Sequence, residues 1–178
     1  MKKIRVGITG ASGILGKKVF EYFIVKGAEV SVLTRESKKI NNHAQVKIYE
    51  IDLNTPDLLK IKDFVKNLDL LFHLASELRD ESKMMAVNYG GTKILADMLL
   101  GKKTHLIYTS SIGVFDFSKS KIIKENSTKS QINLYEKTKL LSEDYLFKLR
   151  QGGKLNFIIL RPSIILDIDM KSKIIDNF

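Results

Sequence analysis

The chain has 178 residues, no cysteine, 44% hydrophobic residues and a formal net charge of +10. This length suits one domain over residues 1–178 with a sizeable buried core, and the missing cysteine excludes disulfides, cysteine-ligated zinc and thiol nucleophiles. No apolar run approaches the roughly 18 to 20 residues that a membrane-spanning helix needs. We therefore expect a cytoplasmic protein without a membrane partner.

The positive charge is spread along the whole chain. Only the segment Lys119–Lys129 concentrates lysines, and it lacks the interleaved aromatic residues of a single-strand-binding platform. A solvated basic surface that helps to attract phosphates explains this charge, so we expect no nucleic-acid partner. We also expect no metal.

Short β-branched runs alternate with longer helical stretches, which predicts an α/β fold: a doubly wound parallel sheet of the Rossmann type with helices on both faces. Gly27 and Gly152-Gly153 are expected to close two of the helices, and Thr55 to cap the helix that Pro56 begins. The predicted strands are Ile4–Thr9, Glu29–Thr34, Val46–Ile51, Leu68–Leu74, His105–Thr109 and Asn156–Leu160. The predicted helices are Ile14–Lys26, Pro56–Lys66, Glu81–Leu100 and Ile132–Gln151.

The first strand leads directly into a glycine-rich turn. Gly10, Gly13 and Gly16 form a Gly-x-x-Gly-x-x-Gly pattern at the entry to the first helix. By analogy with the dinucleotide fingerprint, the glycines permit a tight turn, close approach to a diphosphate and close helix–strand packing. Ser12 and Ile14 belong to the same turn, where backbone N–H groups and the helix dipole favour an anion. We therefore predict a dinucleotide site here, although such a turn can also use glycine for geometry alone.

The second and third strands end in residues that bear on the choice of coenzyme. No acid stands at Thr34-Arg35, where an NAD site usually offers a carboxylate to the ribose 2′-hydroxyl. Arg35 suits a 2′-phosphate instead, so NADP is predicted in preference to NAD. A solvated strand-end arginine is the alternative. Asp52 and Leu53 follow the third strand, where Asp52 either reaches the adenine amino group or caps a helix.

The fifth strand and the last helix carry candidate catalytic residues. Tyr135 and Lys139 lie four residues apart, hence on one helix face, and a nearby ammonium is expected to lower the pKa of the phenol. Ser111 ends the fifth strand, where its hydroxyl can polarise a carbonyl oxygen while Tyr135 exchanges a proton. Lys139 is also expected to bind a ribose. Ser110 is the rival to Ser111, and either serine alone would also suit a simple strand end.

In order and spacing, the motifs resemble the extended short-chain dehydrogenase/reductases, in particular the NAD-dependent epimerase/dehydratase group. Besides the glycine turn and Asp52-Leu53, the resemblance rests on five segments. They are Phe72-His73-Leu74-Ala75-Ser76, Val87-Asn88-Tyr89-Gly90-Gly91-Thr92, Tyr108-Thr109-Ser110-Ser111-Ile112-Gly113-Val114-Phe115, Tyr135-Glu136-Lys137-Thr138-Lys139 and Leu160-Arg161-Pro162. Phe115-Asp116 departs from the Tyr-Gly that is often found in the family.

The resemblance implies further cofactor residues and a substrate class. It places Ala75 and Ser76, with Leu74 and Asn88 from the same motifs, on the ribose and nicotinamide side of the coenzyme. Pro162 and Ser163 would approach the nicotinamide. Nucleotide sugars are the commonest substrates in the family, and family members continue into a C-terminal substrate lobe that is largely missing from residues 1–178.

These expectations favour an NAD(P)-dependent epimerase, dehydratase or reductase that transfers hydride on a nucleotide sugar or a similar carbonyl. The alternative is a non-catalytic NAD(P)-binding sensor or scaffold derived from such an enzyme. The helices Glu81–Leu100 and Ile132–Gln151 suit a homodimer interface, although an apolar helix stripe more often faces its own sheet.

Overall fold

The computed structural model describes residues 3–40, 43–119, 122–130 and 132–165. Six strands and five α-helices are present in these ranges, close to the predicted bounds. The strands are β1 (Arg5–Thr9), β2 (Glu29–Thr34), β3 (Val46–Glu50), β4 (Leu70–His73), β5 (His105–Thr109) and β6 (Asn156–Leu160). The helices are α1 (Ile14–Val25), α2 (Leu58–Phe64), α3 (Glu81–Met84), α4 (Gly91–Met98) and α5 (Leu134–Gln151).

All strand pairs are parallel, in the order β3-β2-β1-β4-β5-β6. The predicted doubly wound α/β fold is confirmed. The chain moves outward from β1 through β2 to β3, then returns to the other side of β1 with β4. The topological switch therefore lies between β1 and β4, and the carboxyl ends of these two strands open a crevice there.

Each face of the sheet carries its own apolar core. Phe20 of α1 packs with Val6, Ile8, Val30 and Val32 on one face. On the other face the core combines side chains of three helices with those of the central strands. It includes Ile61 and Phe64 of α2, Leu95 and Ala96 of α4, Leu146 of α5, and Leu71, Leu106 and Tyr108 of the sheet. Burial on both faces explains the continuous apolar character of the strands.

Two helix predictions were wrong in detail. The cap of α2 is Asp57, which accepts hydrogen bonds from the N–H groups of Leu59 and Lys60, both at 3.0 Å; Thr55 is not the cap. A carboxylate that satisfies two free N–H groups is a stronger cap than a hydroxyl that lies two residues too early in the chain. The predicted helix Glu81–Leu100 is interrupted by a π-helical turn at Met85–Gly90 between α3 and α4. Gly27 and Gly153 have positive φ values of 72° and 65°, as a closing glycine should.

A buried carboxylate ties α5 to β6 and to the loop after β5. Glu143 is fully buried and accepts two hydrogen bonds from Arg161, at 2.7 and 2.9 Å, and one from Lys129 at 2.9 Å. Burial acts to raise the pKa of Glu143, but its two cationic partners prevail and hold that pKa below its ordinary value. The ion pairs fix the start of the segment that follows β6.

Replacement of this carboxylate should destabilise the fold. Glu143→Gln leaves Arg161 without its anion and Lys129 with only the more distant Asp144, at 3.8 Å. We therefore expect the free energy of unfolding to fall by about 3 kcal/mol in a urea titration at pH 7. Because the pKa of Glu143 is depressed in the folded chain, the stabilisation exists above about pH 4.5 and disappears as the pH falls. The difference between variant and wild type should therefore shrink in acid.

Glu36→Gln is the control, since Glu36 forms an ion pair with Lys39 in which both side chains are more than half exposed. It should change the free energy of unfolding by less than about 1 kcal/mol. Equal losses for the two variants would contradict the structural role of Glu143.

Candidate functional site

A cavity of about 560 Å³ lies along the carboxyl edge of the sheet, over the switch between β1 and β4. Nearly all of the predicted site residues line it, although they come from segments that are far apart in sequence. The lining includes Gly10, Ser12, Gly13, Ile14, Gly16, Arg35, Asp52, Leu53, Leu74, Ala75, Ser76, Ser110, Ser111, Tyr135, Lys139, Pro162 and Ser163. Among the predicted residues, only Asn88 does not line this cavity.

The glycine turn forms one wall. Gly10 has a φ of 73°, and a Cβ atom there would lie 2.7 Å from the backbone nitrogen of Ala75. A Cβ atom on Gly16 would collide with the carbonyl oxygen of Gly10, whereas one on Gly13 would approach nothing closer than 3.3 Å. Gly13 precedes α1 without any side-chain cap. The first N–H groups of α1 therefore have no side-chain partner and favour an anion in the cavity.

A buried hydrogen-bond chain holds the glycine turn against the end of β4. The Thr9 hydroxyl oxygen accepts from the N–H groups of Leu74 and Ala75, at 3.2 and 3.1 Å. Its own hydrogen is then left for Nδ1 of His73 at 2.7 Å, which places the imidazole proton on Nε2. Nε2 in turn donates to Thr92 at 2.9 Å. The role of His73 was not predicted, because its partners lie 64 and 19 residues away in sequence.

Tyr135 and Lys139 lie on the same face of α5, as predicted, but the prediction that Lys139 lowers the pKa of Tyr135 was wrong. Lys139 Nζ donates to the carbonyl oxygen of Thr109 at 2.8 Å and lies 5.5 Å from the centre of the Tyr135 ring. Burial raises the pKa of Tyr135, and the Ser76 hydroxyl acts in the opposite direction as the smaller effect. The phenol is therefore protonated at neutral pH.

Lys139 is the more strongly perturbed of the two groups. Its side chain is buried, and burial lowers its pKa to about 7, although the nearby Glu143 acts to raise it. The lysine can thus gain or lose a proton close to neutral pH. Ser111 also lines the cavity, and its hydroxyl oxygen accepts from the N–H group of Gly113 at 3.0 Å. Ser111 is partly exposed whereas Ser110 is buried, which favours Ser111 as the group that meets a substrate.

Asn88 is buried behind the cavity wall. Its side-chain oxygen accepts from the N–H group of Glu77 at 2.7 Å, and its side-chain nitrogen donates to the Glu77 carbonyl oxygen at 3.0 Å and to Thr138 at 3.1 Å. It also accepts from Ser76 at 3.1 Å. Asn88 therefore positions Ser76 and Glu77 and joins this wall to α5, without reaching the cavity itself.

The cavity end near β2 holds more charge than the sequence indicated. No acid stands at Thr34-Arg35 itself, but Glu36 and Glu77 line this end together with Arg35 and Lys39. Arg35 donates to Glu77 at 3.3 Å, and Lys39 donates to Glu36 at 2.7 Å. Asp52 accepts from the N–H group of Asn54 at 2.8 Å, so it closes a local turn instead of capping α2.

These residues fit a dinucleotide. Gly10 allows the backbone to approach closely, Gly13 leaves the start of α1 without a side-chain cap, and a buried ammonium lies beside the end of β5. Within the described ranges no cluster of His, Asp and Glu suits a metal ion. The same ranges contain no helix with the length and apolar character required to cross a bilayer.

Comparisons with known proteins agree with this geometry. A family model described as the NAD-dependent epimerase/dehydratase family matches residues 6–166. The sterol-4-alpha-carboxylate 3-dehydrogenase (decarboxylating) of Dictyostelium discoideum is 25% identical over 174 residues, which cover 90% of this chain and 53% of that protein. The ADP-L-glycero-D-manno-heptose-6-epimerase of Brachyspira hyodysenteriae is 25% identical and is matched over 84% of this chain and 50% of that protein.

A solved structure shows the same fold. The enzyme WbmG of Bordetella bronchiseptica, crystallised with NAD and UDP, superposes with a TM-score of 0.78 at 19% identity, over 90% of this chain and 53% of that one. The chain thus spans about half the length of these proteins.

The glycine turn provides a matched pair of variants. Gly16→Ala should lower the free energy of unfolding by about 3 kcal/mol, because its methyl group would collide with the Gly10 carbonyl. Gly13→Ala should cost less, about 1 kcal/mol, because Gly13 has an ordinary φ and its methyl group, 3.3 Å from the Gly10 carbonyl oxygen, needs that oxygen to shift by only a few tenths of an ångström. Urea unfolding at pH 7 measures both changes. Equal losses would contradict the packing described for this turn.

The buried histidine should make stability depend on pH. Burial, with a smaller contribution from the charge of Lys139, lowers the pKa of His73 to about 3, whereas an unfolded chain has an imidazole pKa of about 6.5. Between these values the unfolded chain binds more protons, so stability decreases as the pH falls. From pH 7 to pH 5, the contribution of His73 to the free energy of unfolding should fall by about 2 kcal/mol.

His73→Gln is the reference for this measurement, because it removes the titrating group and leaves the other two histidines in place. The slope of unfolding free energy against pH should be clearly smaller in His73→Gln than in the wild type. The same slope in both proteins would contradict the neutral, buried state of His73.

Proposed function

Because the chain belongs to the NAD-dependent epimerase/dehydratase family, we propose that it binds a nicotinamide dinucleotide in this cavity and transfers hydride to or from a nucleotide sugar or a similar carbonyl compound. The observation that carries the proposal is that Ser111, Tyr135 and Lys139 line the same cavity as the glycine turn. A bound dinucleotide supplies the hydride donor or acceptor. The chain supplies binding, orientation and the proton.

Binding is assigned to the glycine turn, which forms one wall, and to Lys139 beside the end of β5. The N–H groups at the start of α1 would hold the diphosphate, together with Ser12, Gly13 and Ile14 of the cavity lining. Lys139 is held by the Thr109 carbonyl, which leaves two of its ammonium hydrogens for a ribose. Leu74, Ala75, Pro162 and Ser163 line the remaining wall and would exclude water from the reacting atoms.

Proton transfer is assigned to Tyr135. Because its pKa is raised, the phenol holds its proton at neutral pH and suits an acid that donates to a carbonyl oxygen during reduction. In the opposite direction the phenol must first lose this proton. Ser111 would donate a hydrogen bond to the same carbonyl oxygen, and Lys139, with a pKa of about 7, can take part in resupplying the proton.

We also propose a substrate class and a coenzyme form. One relative is named for an ADP-linked heptose, and the solved neighbour was crystallised with UDP, which supports a nucleotide sugar. Arg35 and Lys39 at the β2 end support NADP over NAD, while Glu36 and Glu77 oppose it. We further propose that residues 1–178 form one dinucleotide-binding domain and that most of the substrate lobe lies outside them.

A second candidate is a non-catalytic NAD(P)-binding sensor or scaffold. It is favoured by one observation, that burial raises the pKa of Tyr135 and so opposes the loss of the phenolic proton that oxidation of a substrate requires. In that case the cavity binds the coenzyme, but no substrate turns over. Association through α3, α4 and α5 into a homodimer stays a prediction for either candidate.

The two candidates differ in turnover. The wild type should oxidise NADPH or NADH with at least one member of a panel of 4-keto nucleotide sugars, and Tyr135→Phe should lower kcat at least about 100-fold because the proton donor is lost. Coenzyme affinity, measured by fluorescence titration, should change less than about threefold, since the ring remains.

Ser130→Ala serves as the control because Ser130 lies outside the cavity lining, and it should retain wild-type turnover. Full activity in Tyr135→Phe would contradict the assigned mechanism. Coenzyme binding with no turnover across the panel would favour the sensor or scaffold.

A further inference from the structure

An ion pair joins two walls of the cavity at its β2 end. Arg35 follows β2, and Glu77 lies in the segment after β4, yet Arg35 Nη1 and Glu77 Oε2 are 3.3 Å apart. The two side chains differ in freedom, because that of Arg35 is 54% exposed and that of Glu77 is 11% exposed. Both residues line the cavity. The pair therefore lies at the end of β2, where a bound dinucleotide would meet it.

Glu77 is held in place by backbone groups. Its Oε1 accepts from the N–H groups of Leu78, Arg79 and Asp80, at 3.0, 3.0 and 3.3 Å. Asn88 binds both the N–H and the carbonyl group of Glu77 from behind. The N–H group of Arg79 contributes most to lowering the pKa of Glu77, and the charge of Arg35 adds to it. Glu77 is thus an anion with little freedom to move.

Arg35 is the partner that can move. It makes one contact with Glu77, at a distance near the upper limit for a hydrogen bond, and more than half of its side chain is exposed. An exposed pair of this kind contributes little stability on its own. A phosphate monoester offers a guanidinium two parallel hydrogen bonds, which is a stronger arrangement. Arg35 therefore has two competing anionic partners if a 2′-phosphate enters the cavity.

We propose that Glu77 is a specificity-determining residue: it holds the Arg35 guanidinium and so weakens selection of NADP over NAD. This inference rests on the proposed function, because it assumes that a nicotinamide dinucleotide occupies the cavity. NADP must draw Arg35 away from Glu77 before the arginine can pair with the 2′-phosphate. NAD carries only a hydroxyl at this position, so its binding does not require Arg35 to leave Glu77.

The ratio of the two affinities isolates this effect. Repulsion between Glu77 and the diphosphate is the same for both coenzymes and cancels in the ratio of dissociation constants. The remaining difference comes from the 2′-phosphate and its partners. Removal of the Glu77 charge should therefore strengthen NADPH binding relative to NADH.

The variant Glu77→Gln removes the charge and keeps a side-chain oxygen that can accept the three backbone N–H groups. We expect the ratio Kd(NADPH)/Kd(NADH), from fluorescence titrations at fixed ionic strength, to fall about three- to tenfold. Glu77→Asp is a second variant, which keeps the charge but withdraws it from Arg35, and it should shift the ratio in the same direction. Melting temperatures report whether each variant is folded.

A double-mutant cycle separates a role through Arg35 from simple repulsion. In an Arg35→Gln background, Glu77→Gln should change the ratio less than about twofold. A change as large as in the wild-type background would overturn the inference, because Glu77 would then act on the 2′-phosphate without Arg35. Asp63→Asn is the matched control, since it also neutralises one carboxylate of an ion pair, that with Lys47, but lies outside the cavity lining. Its effect on the ratio should be smaller than that of Glu77→Gln.

The outcomes distinguish this inference from the proposal on which it rests. Binding of both coenzymes, with a ratio unchanged by Glu77→Gln and Glu77→Asp, would overturn the role of Glu77 alone. A wild-type protein that binds neither coenzyme would overturn the proposed function itself.

Discussion

The hydroxyl group of Thr9 is the contact on which the cavity depends. It accepts the N–H groups of Leu74 and Ala75 and donates to His73, so it extends the connection between β1 and β4 beyond their last paired residues, Thr9 and His73. The absent side chain of Gly10 lets the backbones meet at the same point. Because burial keeps His73 neutral at pH 7, this junction needs no counterion.

A second set of contacts fixes the catalytic side of the cavity. Lys139 is anchored on the carbonyl oxygen at the end of β5, while Glu143, one turn further along α5, holds Arg161 directly after β6. Three carboxyl-terminal elements of the fold are thereby locked together. As a consequence the ammonium group of Lys139 is buried, and burial lowers its pKa to about 7. Burial thus acts on the lysine as well as on the tyrosine, and it moves both groups toward their uncharged forms.

Local patterns in the sequence predicted those features of the fold that local interactions determine. The β-branched runs predicted all six strands, and the glycine spacing predicted the turn before α1, since both depend on residues close together in the chain. The direction of the pKa change at Tyr135 was predicted wrongly because burial arises from tertiary packing, and residue spacing does not report it. Glu77 and His73 were missed as site residues for the same reason: their partners lie 42 and 64 residues away.

The two ends of the cavity differ in how firmly their cations are held. Lys139 is buried and bonded to a strand end, so its position is set by the fold itself. Arg35 is exposed and pairs with Glu77. The carboxylate of Glu77 accepts three N–H groups, and Asn88 binds its backbone. The end of the cavity that holds Lys139 therefore suits chemistry that requires precise placement, because displacement of this lysine would break a buried hydrogen bond. The end that holds Arg35 suits recognition of the group that differs between NAD and NADP, because this side chain can change partners without disturbing the sheet.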